Sequence, residues 1–443
     1  MKKVLIVIMA CILIVSLAAC GNTGGGSSSG GGGDTTLTVW YWGEQEIPGY
    51  ADYMTEIVKR YEAANDGIKV DAVLQESDTL YSAFRTAESA GAGPDLQFFW
   101  GGALALEDAW LGNLTPVDEF ITAEQMKDIL PSALEETHWD GKQWGIPAYQ
   151  TVMSVTYNKK MMADAGLDPE NPYSTWDEFM AACEALKQAG YVPWGAGLKD
   201  GWFCGWWAFL LGSQNLDSMS DLIDAVIGDA NYADMKYSEW VYRYQDMLDK
   251  GYFNDDIQSL DFYQGQQLVE NSMAAMSFFA HAYADTIEDA MGSDTIGFAP
   301  IPIYGNGALK DSFTAQTHVY TMPKSGGNRE IAADFMLFLH EPDNMKLLYE
   351  KTFAFMPNKN FDESWAMTAI DKTVFKWKES LPEVSYQWFY PPMFEEEGII
   401  PIIQNLTAGL ETPESAAVKL NDTLEKWREQ TPDQLEAFKK WTF

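Results

Sequence analysis

Aromatic and acidic side chains at the ends of predicted strands are the residues of this sequence best suited to ligand chemistry. The apolar run 37–42 ends in Trp42 and is followed by Glu44, and the run 95–100 ends in Trp100. A flat aromatic ring packs against the C–H face of a pyranose, and a carboxylate accepts several hydroxyl hydrogens in directed bonds. These residue types in these places predict a carbohydrate-binding site.

Five further candidates lie at loop positions or follow predicted strands, namely Gln150, Trp202, His281, Tyr283 and Trp388. The alternative for any tryptophan is a place in the core, which applies to Trp42 and to Trp206 and Trp207 beside Trp202. The alternative for Glu44 is a solvated carboxylate. The three glutamates at 395–397 are interpreted as a solvated charge run, with the alternative that one of them reaches the site.

Motifs of the common enzyme classes are missing from the sequence. The four histidines are scattered, no H-E-x-x-H or C-x-x-C occurs, and G-x-x-x-x-G-K-[ST] and G-x-S-x-G are absent. We therefore predict no catalytic residues, no metal site and no cofactor. A glycosidase remains the main enzymatic alternative, because it needs only two facing carboxylates and the chain has 65 acidic residues.

The composition is that of a soluble, strongly acidic protein. The chain has 443 residues, 47% of them apolar, with 29 basic against 65 acidic residues and a formal net charge of −36. Nucleic acid is excluded as a partner, because phosphate binding requires neutralisation by Lys and Arg. We expect a monomer.

The first 36 residues carry the pattern of an exported, lipid-anchored chain. Two lysines precede the apolar run 4–15, which is too short to span a bilayer comfortably, and small residues lead to Cys20. This order resembles the bacterial lipobox, in which the cysteine is diacylated. We expect a signal peptide at 1–19 and, over 20–36, the lipidated Cys20 and a Gly/Ser tether; a plain secretory signal is the alternative.

Two predictions follow from this leader. The protein is expected on the extracellular face of the cell membrane, and the Gly-rich tether resembles those of Gram-positive lipoproteins. Only Cys183 and Cys204 then remain in the globular part. A disulfide between them is possible, although a buried thiol is favoured for Cys183, which lies on the apolar stripe of a predicted helix.

The remainder of the sequence alternates between predicted strands and helices. Strands at 37–42, 68–73 and 95–100 alternate with helices at 53–64 and 80–90. Later strands are expected at 152–157, 273–278 and 296–300, and later helices at 175–189, 329–339 and 413–427. This order predicts an α/β fold with mainly parallel sheets flanked by helices, and ligands in such folds bind beyond the carboxyl ends of the strands.

The order of short motifs resembles the extracellular solute-binding proteins of bacterial carbohydrate ABC importers, the family that includes maltose-binding protein. The motifs that carry this resemblance, over roughly 36–427, are Ala92-Gly93-Pro94-Asp95-Leu96, Trp144-Gly145-Ile146-Pro147, Tyr157-Asn158-Lys159, Thr175-Trp176-Asp177-Glu178-Phe179, Gly251-Tyr252-Phe253 and Gly297-Phe298-Ala299-Pro300-Ile301-Pro302. Each motif is weak alone, but their joint order is specific.

The resemblance implies a two-lobed fold that closes on a ligand between the lobes and delivers it to a membrane permease. It implies that lobe 1 comprises 37–149 and 284–345, and that lobe 2 comprises 150–283 and 346–443. It also implies sugar contacts at the strand ends named above. The surplus of aromatic residues favours an oligosaccharide, and a solute of another class is the remaining alternative.

Overall fold

A computed structural model describes residues 34–385 and 389–441 of the chain. The strands in these residues are β1 (Thr35–Tyr41), β2 (Ile68–Leu74), β3 (Leu96–Trp100), β4 (Leu114–Thr115), β5 (His138–Trp139), β6 (Lys142–Gln143), β7 (Gly145–Asn158), β8 (Val192–Trp194), β9 (Ala274–Ala280), β10 (Ile296–Ala299), β11 (Phe313–Pro323) and β12 (Glu383–Val384).

Helices cover more of the described chain than strands do. The α-helices are α1 (Tyr50–Ala64), α2 (Leu80–Ser89), α3 (Ala103–Trp110), α4 (Ala123–Met126), α5 (Pro131–Glu135), α6 (Lys159–Asp164), α7 (Trp176–Gln188), α8 (Cys204–Leu211), α9 (Met219–Ile227), α10 (Met235–Asp249), α11 (Phe262–Glu270), α12 (His281–Met291), α13 (Arg329–Leu339), α14 (Pro342–Thr352), α15 (Ala369–Ser380), α16 (Ile400–Thr407), α17 (Pro413–Gln430) and α18 (Pro432–Lys439). A π-helical turn, Phe394–Ile399, leads directly into α16.

One mixed sheet organises the molecule, with strand order β2-β1-β3-β11-β7-β9-β8. The pairs at its two ends are parallel, namely β2 with β1, β1 with β3, and β9 with β8. Strands β11 and β7 in the middle are antiparallel to each other and to their outer neighbours. We refer to β2-β1-β3 and their helices as the first end of the sheet, and to β9-β8 and theirs as the second end.

The predicted βαβαβ order of the first end is confirmed by strands β1 to β3 and helices α1 and α2. The predicted start of α7 is also confirmed. The Thr175 side chain accepts the Glu178 backbone N–H, and the Glu178 carboxylate accepts the Thr175 N–H in return. This reciprocal capping box satisfies donors that a helix start otherwise leaves open.

The two central strands differ from the sequence-based expectation. Strand β7 runs for 14 residues, although only 152–157 was predicted, and β11 was not predicted at all. Every residue of both strands is buried. Several of these residues are polar, among them Gln316, Thr317 and His318 of β11, so the strand shows neither apolar alternation nor a continuous apolar run.

The core follows the sheet from one end to the other. Buried side chains from both ends and from the helices that cover them form one continuous hydrophobic cluster. Cys183 and Cys204 are both buried and free. In the part of the chain that the structure describes, no helix has the length and apolar character needed to cross a bilayer.

Candidate functional site

A cavity of about 270 Å³ lies over the edge of the sheet where β1 and β3 end. Both ends of the sheet contribute to its lining, as do Gln316 of β11 and the segment that begins the π-helical turn. The carboxyl ends of parallel strands are where open α/β sheets bind ligands. The cavity therefore lies where the strand order predicted a site.

The first end of the sheet supplies one aromatic wall, formed by Trp42, Tyr81 and Trp100. The ring centroids of Trp42 and Trp100 are 4.9 Å apart, and the Tyr81 ring stacks on Trp100 at 5.8 Å with an interplanar angle of 26°. Trp42 is only 5% exposed, whereas Trp100 is half-buried. Trp100 therefore offers the larger free face to a ligand.

The second end supplies another aromatic wall, which consists of Trp202, Trp206, Phe262 and Tyr263. Phe262 is at its centre, with its ring centroid 4.6 Å from that of Trp202 and 4.9 Å from that of Trp206. The turn before Trp202 is fixed by Asp200, whose carboxylate accepts the Phe262 backbone N–H at 3.2 Å. Gly201 has a φ of 77°, which favours glycine and turns the chain so that Trp202 reaches the cavity.

Tyr283 extends the lining at the start of α12, directly after β9. It is half-buried and stacks on Phe279 at 5.7 Å, and burial raises the pKa of its hydroxyl. The structure thus brings Trp42, Trp100, Trp202 and Tyr283 of the predicted residues together around one cavity.

Glu46 is the acidic side chain that the central strands hold at the cavity. Its Oε1 atom accepts hydrogen bonds from Thr151 Oγ1 of β7 at 2.9 Å and from His318 Nε2 of β11 at 2.8 Å. Oε2 makes no hydrogen bond to the residues that the structure describes. This second oxygen is an acceptor that a ligand hydroxyl or ammonium group could use.

Two glutamates of the π-helical turn also line the cavity. Glu395 is 8% exposed and its Oε2 atom accepts the Tyr390 hydroxyl at 3.1 Å, whereas Glu396 is exposed at the rim. Glu397 points to an ion pair with Lys426 instead. The interpretation of 395–397 as a solvated run thus holds for Glu397, whereas Glu395 and Glu396 reach the cavity, as the alternative had it.

Glu44 does not line the cavity, which corrects the prediction that it faces the ligand. Its carboxylate accepts the backbone N–H groups of Gly49 at 3.1 Å and Ala51 at 2.7 Å. These donors belong to the first turn of α1, where a helix lacks internal acceptors and where its dipole favours negative charge. Glu44 therefore stabilises a helix start, whereas Glu46, two residues later, lines the cavity.

Gln150 also lies away from the cavity lining, because it is the centre of a buried hydrogen-bond network. Its Nε2 atom donates to Thr317 Oγ1 at 3.2 Å and to Glu383 Oε1 at 3.1 Å, and its Oε1 atom accepts from Lys378 Nζ at 3.3 Å. Every polar atom of the amide is thereby used. Burial of an amide without hydrogen-bond partners costs folding free energy, so these partners are what allow Gln150 to lie inside the sheet.

His281 is fully buried and connects three backbone segments rather than facing the cavity. Its Nδ1 atom accepts the Val152 N–H at 2.9 Å, and its Nε2 atom lies 3.2 Å from the Phe353 carbonyl oxygen, to which it donates. Burial lowers the pKa of the imidazole to about 3. We call Gln150, His281 and their hydrogen-bonded partners the polar interior.

His281 has two buried acids nearby, Asp285 and Asp371, and the three residues are close enough to surround an ion. Both nitrogens of His281 are used by the backbone, however, so the neutral ring has no lone pair for a metal. Asp285 accepts the Thr368 hydroxyl at 2.5 Å and Asp371 accepts the Tyr349 hydroxyl. Burial, and then the charge of Asp371, raise the pKa of Asp285. These hydrogen bonds and the raised pKa indicate that the two carboxyl groups hold a proton rather than a metal ion.

Two of the predicted residues, Trp388 and Cys20, lie outside the described residues.

A family model described as "Bacterial extracellular solute-binding protein" matches residues 47–346 of the chain. The chain belongs to this family. Among the relatives of this solute-binding protein is a binding protein of Brucella abortus (strain 2308), 25% identical over 298 residues that cover 66% of this chain and 69% of the relative. Another, named as a maltooligosaccharide ABC transporter solute-binding lipoprotein of Streptococcus pneumoniae (strain ATCC BAA-255 / R6), is 25% identical over 76% of this chain and 78% of its own.

A solved structure described as a chitin oligosaccharide binding protein superposes with a TM-score of 0.77 at 22% identity. The match covers 89% of this chain and 98% of that chain. At this identity the likeness concerns the fold. The predicted two-lobed α/β fold class of the solute-binding protein is confirmed.

Sequence reasoning missed most of the cavity lining. Asp78 and Tyr81 follow β2, the third parallel strand of the first end, and the rule that placed Trp42 and Trp100 at strand ends would have found them. Phe262 and Tyr263 begin α11 after the capping residue Asp261. A capping residue in a loop indicates where a helix starts, which is a weaker signal for a ligand site than a strand end. Glu46, in contrast, could not be told from Glu44 without the structure.

Proposed function

We infer that this solute-binding protein captures an oligosaccharide and delivers it to the permease of an ABC importer. The observation that carries this proposal is the single cavity to which both ends of the sheet each contribute an aromatic wall. Stacking faces joined to fixed hydrogen-bonding groups such as Glu46 are what pyranose rings require. The name of the pneumococcal relative, which refers to maltooligosaccharide, supports the same class of solute.

Hinge closure is the proposed mode of capture. Lobe 1 (37–149 and 284–345) and lobe 2 (150–283 and 346–443) would move relative to each other about the long central strands, because β11 and β7 lie between the two ends of the sheet. A ligand that contacts both walls binds the closed form more tightly than the open form, and only such differential binding shifts the equilibrium.

A thermal-shift screen of glycans, followed by small-angle X-ray scattering with each glycan that stabilises the protein, tests this proposal. We expect a glycan that raises the melting temperature to reduce the radius of gyration of the monomeric protein. Trp202→Ala, which removes a stacking face from the second wall, should leave the unliganded radius unchanged and weaken the ligand-induced change. A stabilising glycan with no effect on the radius would contradict hinge closure.

Lipid anchoring through Cys20 completes the proposal and places the protein on the extracellular face of a Gram-positive membrane. Two acyl chains hold a protein stably at a bilayer where one chain does not. The Cys20→Ala variant should therefore appear in the soluble fraction after a salt wash, while the unaltered chain sediments with membranes. Cys183→Ala, which removes a buried thiol of the globular part, is the matched control and should remain with the membranes.

A glycosidase is the second candidate, because Glu46 and Glu395 both line the cavity. The family favours binding, since the relatives described above are named as binding proteins. Chromatography of a bound glycan after prolonged incubation separates the two functions. Recovery of the intact glycan is expected, and release of shorter sugars would favour hydrolysis.

A further inference from the structure

The charged side chains that line the cavity all carry the same sign. Four carboxylates line it, with Glu46 and Asp78 from the first end of the sheet and Glu395 and Glu396 from the π-helical turn. Among the described residues of the lining, none is Lys, Arg or His.

Arg85, the basic residue next to the aromatic wall of Trp42, Tyr81 and Trp100, does not compensate this negative charge. The Arg85 guanidinium lies 5.7 Å from the centre of the Tyr81 ring, outside the lining. It is shared by two acids, with Arg85 Nη2 at 2.5 Å from Glu107 and Arg85 Nε at 3.1 Å from Asp108. One cation for two carboxylates leaves a further negative charge beside the cavity.

The rim carboxylates are available to a ligand. Asp78 and Glu396 are exposed and make no hydrogen bond or ion pair with the residues that the structure describes. Partial burial, and then the charge of Glu107, raise the pKa of Glu396. The charge effect is a repulsion between like charges, so a further negative charge in this place is unfavourable and a positive charge is favourable.

We propose that the cavity selects carbohydrates by charge, so that affinity rises from acidic sugars through neutral sugars to sugars with an ammonium group. This inference rests on the proposed function and specifies its substrate class. A uronate or a sugar phosphate would bring a second anion among carboxylates with no cation to pair it. An ammonium group would meet the carboxylates directly and also the aromatic ring faces, which attract cations.

Titration calorimetry on the full-length chain tests the order. The probes are sets of α-1,4-linked and β-1,4-linked di- to tetrasaccharides, each set made of glucose, of glucosamine and of glucuronate, at low and high sodium chloride. Within each set that binds, we expect the glucuronate form to bind at least tenfold more weakly than the glucose form. The glucosamine form should bind at least threefold more tightly, and both ratios should shrink at high salt.

Two variants separate charge selection from other causes. Asp78→Asn with Glu396→Gln removes the rim charges from side chains that make no hydrogen bond or ion pair with the described residues, so the fold should be unaffected and both ratios should fall at least threefold. Glu397→Gln is the matched control, because Glu397 is the exposed neighbour of Glu396 but pairs with Lys426 away from the lining. Its ratios should equal those of the unaltered chain.

The possible failures are distinguishable. A glucuronate form that binds as tightly as its glucose form, or a glucosamine form that gains nothing, would overturn charge selection and leave carbohydrate capture intact. Ratios that persist unchanged in the rim variant would also overturn it. If no member of any set binds, charge selection among these sugars is overturned, and the glycan screen described above decides the proposed function separately.

Discussion

The cavity and the polar interior contain residues of similar sequence character, yet they use them differently. At the cavity, Trp100 and Glu46 are held by neighbours on one side and keep a ring face or an oxygen atom free. In the polar interior, Gln150 and His281 have every polar atom paired with protein. A side chain is available to a ligand only when folding leaves part of its bonding capacity unused.

The position along a strand accounts for this difference. Trp100 is the last residue of β3, so its side chain emerges at the sheet edge, whereas Gln150 lies within β7 and is covered on both faces. Inside the sheet, a polar group must find partners or destabilise the fold. The comparison predicts that substitutions in the polar interior change stability and that substitutions at the cavity change affinity.

The largest expected effect is loss of stability in His281→Ala. The substitution leaves the Val152 N–H and the Phe353 carbonyl without their partner and removes a ring that packs 4.2 Å from Phe355. Buried unsatisfied groups and the new cavity together should cost about 3–5 kcal/mol. Chemical denaturation measures this loss. The free energy of unfolding of the control His138→Ala, at an exposed histidine, should stay within about 0.5 kcal/mol of that of the unaltered protein. Equal losses of stability in both variants would contradict the role of the buried His281 hydrogen bonds.

The next effect is loss of affinity in Trp100→Ala. Removing one stacking face should cost about 1–2 kcal/mol of binding free energy, which corresponds to a roughly five- to thirtyfold loss of affinity. Trp110→Ala is the matched control, because Trp110 is also half-buried against the core but packs on Phe438 at 5.6 Å, outside the lining. Calorimetry should show intact affinity for Trp110→Ala. Similar affinity losses in the two variants would place Trp100 among structural residues.

The acid pair beside the polar interior should give stability an unusual pH dependence. Burial, and then the charge of Asp371, raise the pKa of Asp285 above its usual 3.8. The folded state then holds a proton that the unfolded state releases, so this group lowers stability as the pH rises from about 4 through the raised pKa, by about 1.4 kcal/mol per unit of difference.

Asp285→Asn tests this pH dependence, because the amide stays neutral. Its free energy of unfolding relative to the unaltered protein should increase between pH 4 and pH 8, as measured by urea denaturation at each pH. A constant difference across that range would show that Asp285 is ionised in the folded state.

The smallest effect separates the two neighbouring acids. Glu44→Gln should lower stability by about 0.5–1 kcal/mol, because a charged cap of α1 becomes neutral, and should leave affinity unchanged. Glu46→Gln should weaken glycan binding, because it alters the acceptor at the cavity. The reverse outcome, with affinity lost in Glu44→Gln alone, would return Glu44 to the site.

The sequence by itself determined the elements whose signals are local. The βαβαβ order, the capping box at Thr175 and Glu178, and the emergence of Trp42 and Trp100 at one sheet edge follow from periodicity and from the geometry of parallel strands. The order of short motifs was enough to indicate the solute-binding family. These features depend on neighbours close in the chain or on rules common to all such sheets.

Only the tertiary structure decided which polar residues remain free for a ligand. Strand β11 could not be predicted from the local pattern, because it buries threonines, a glutamine and a histidine. Partners as distant in sequence as Glu46 and Gln150 form hydrogen bonds with polar side chains of this strand. The same long-range hydrogen bonds withdrew Gln150 and His281 from the site and placed Glu46 in it. Since hydrogen-bond satisfaction is settled by residues hundreds of positions apart, no local pattern could have revealed it.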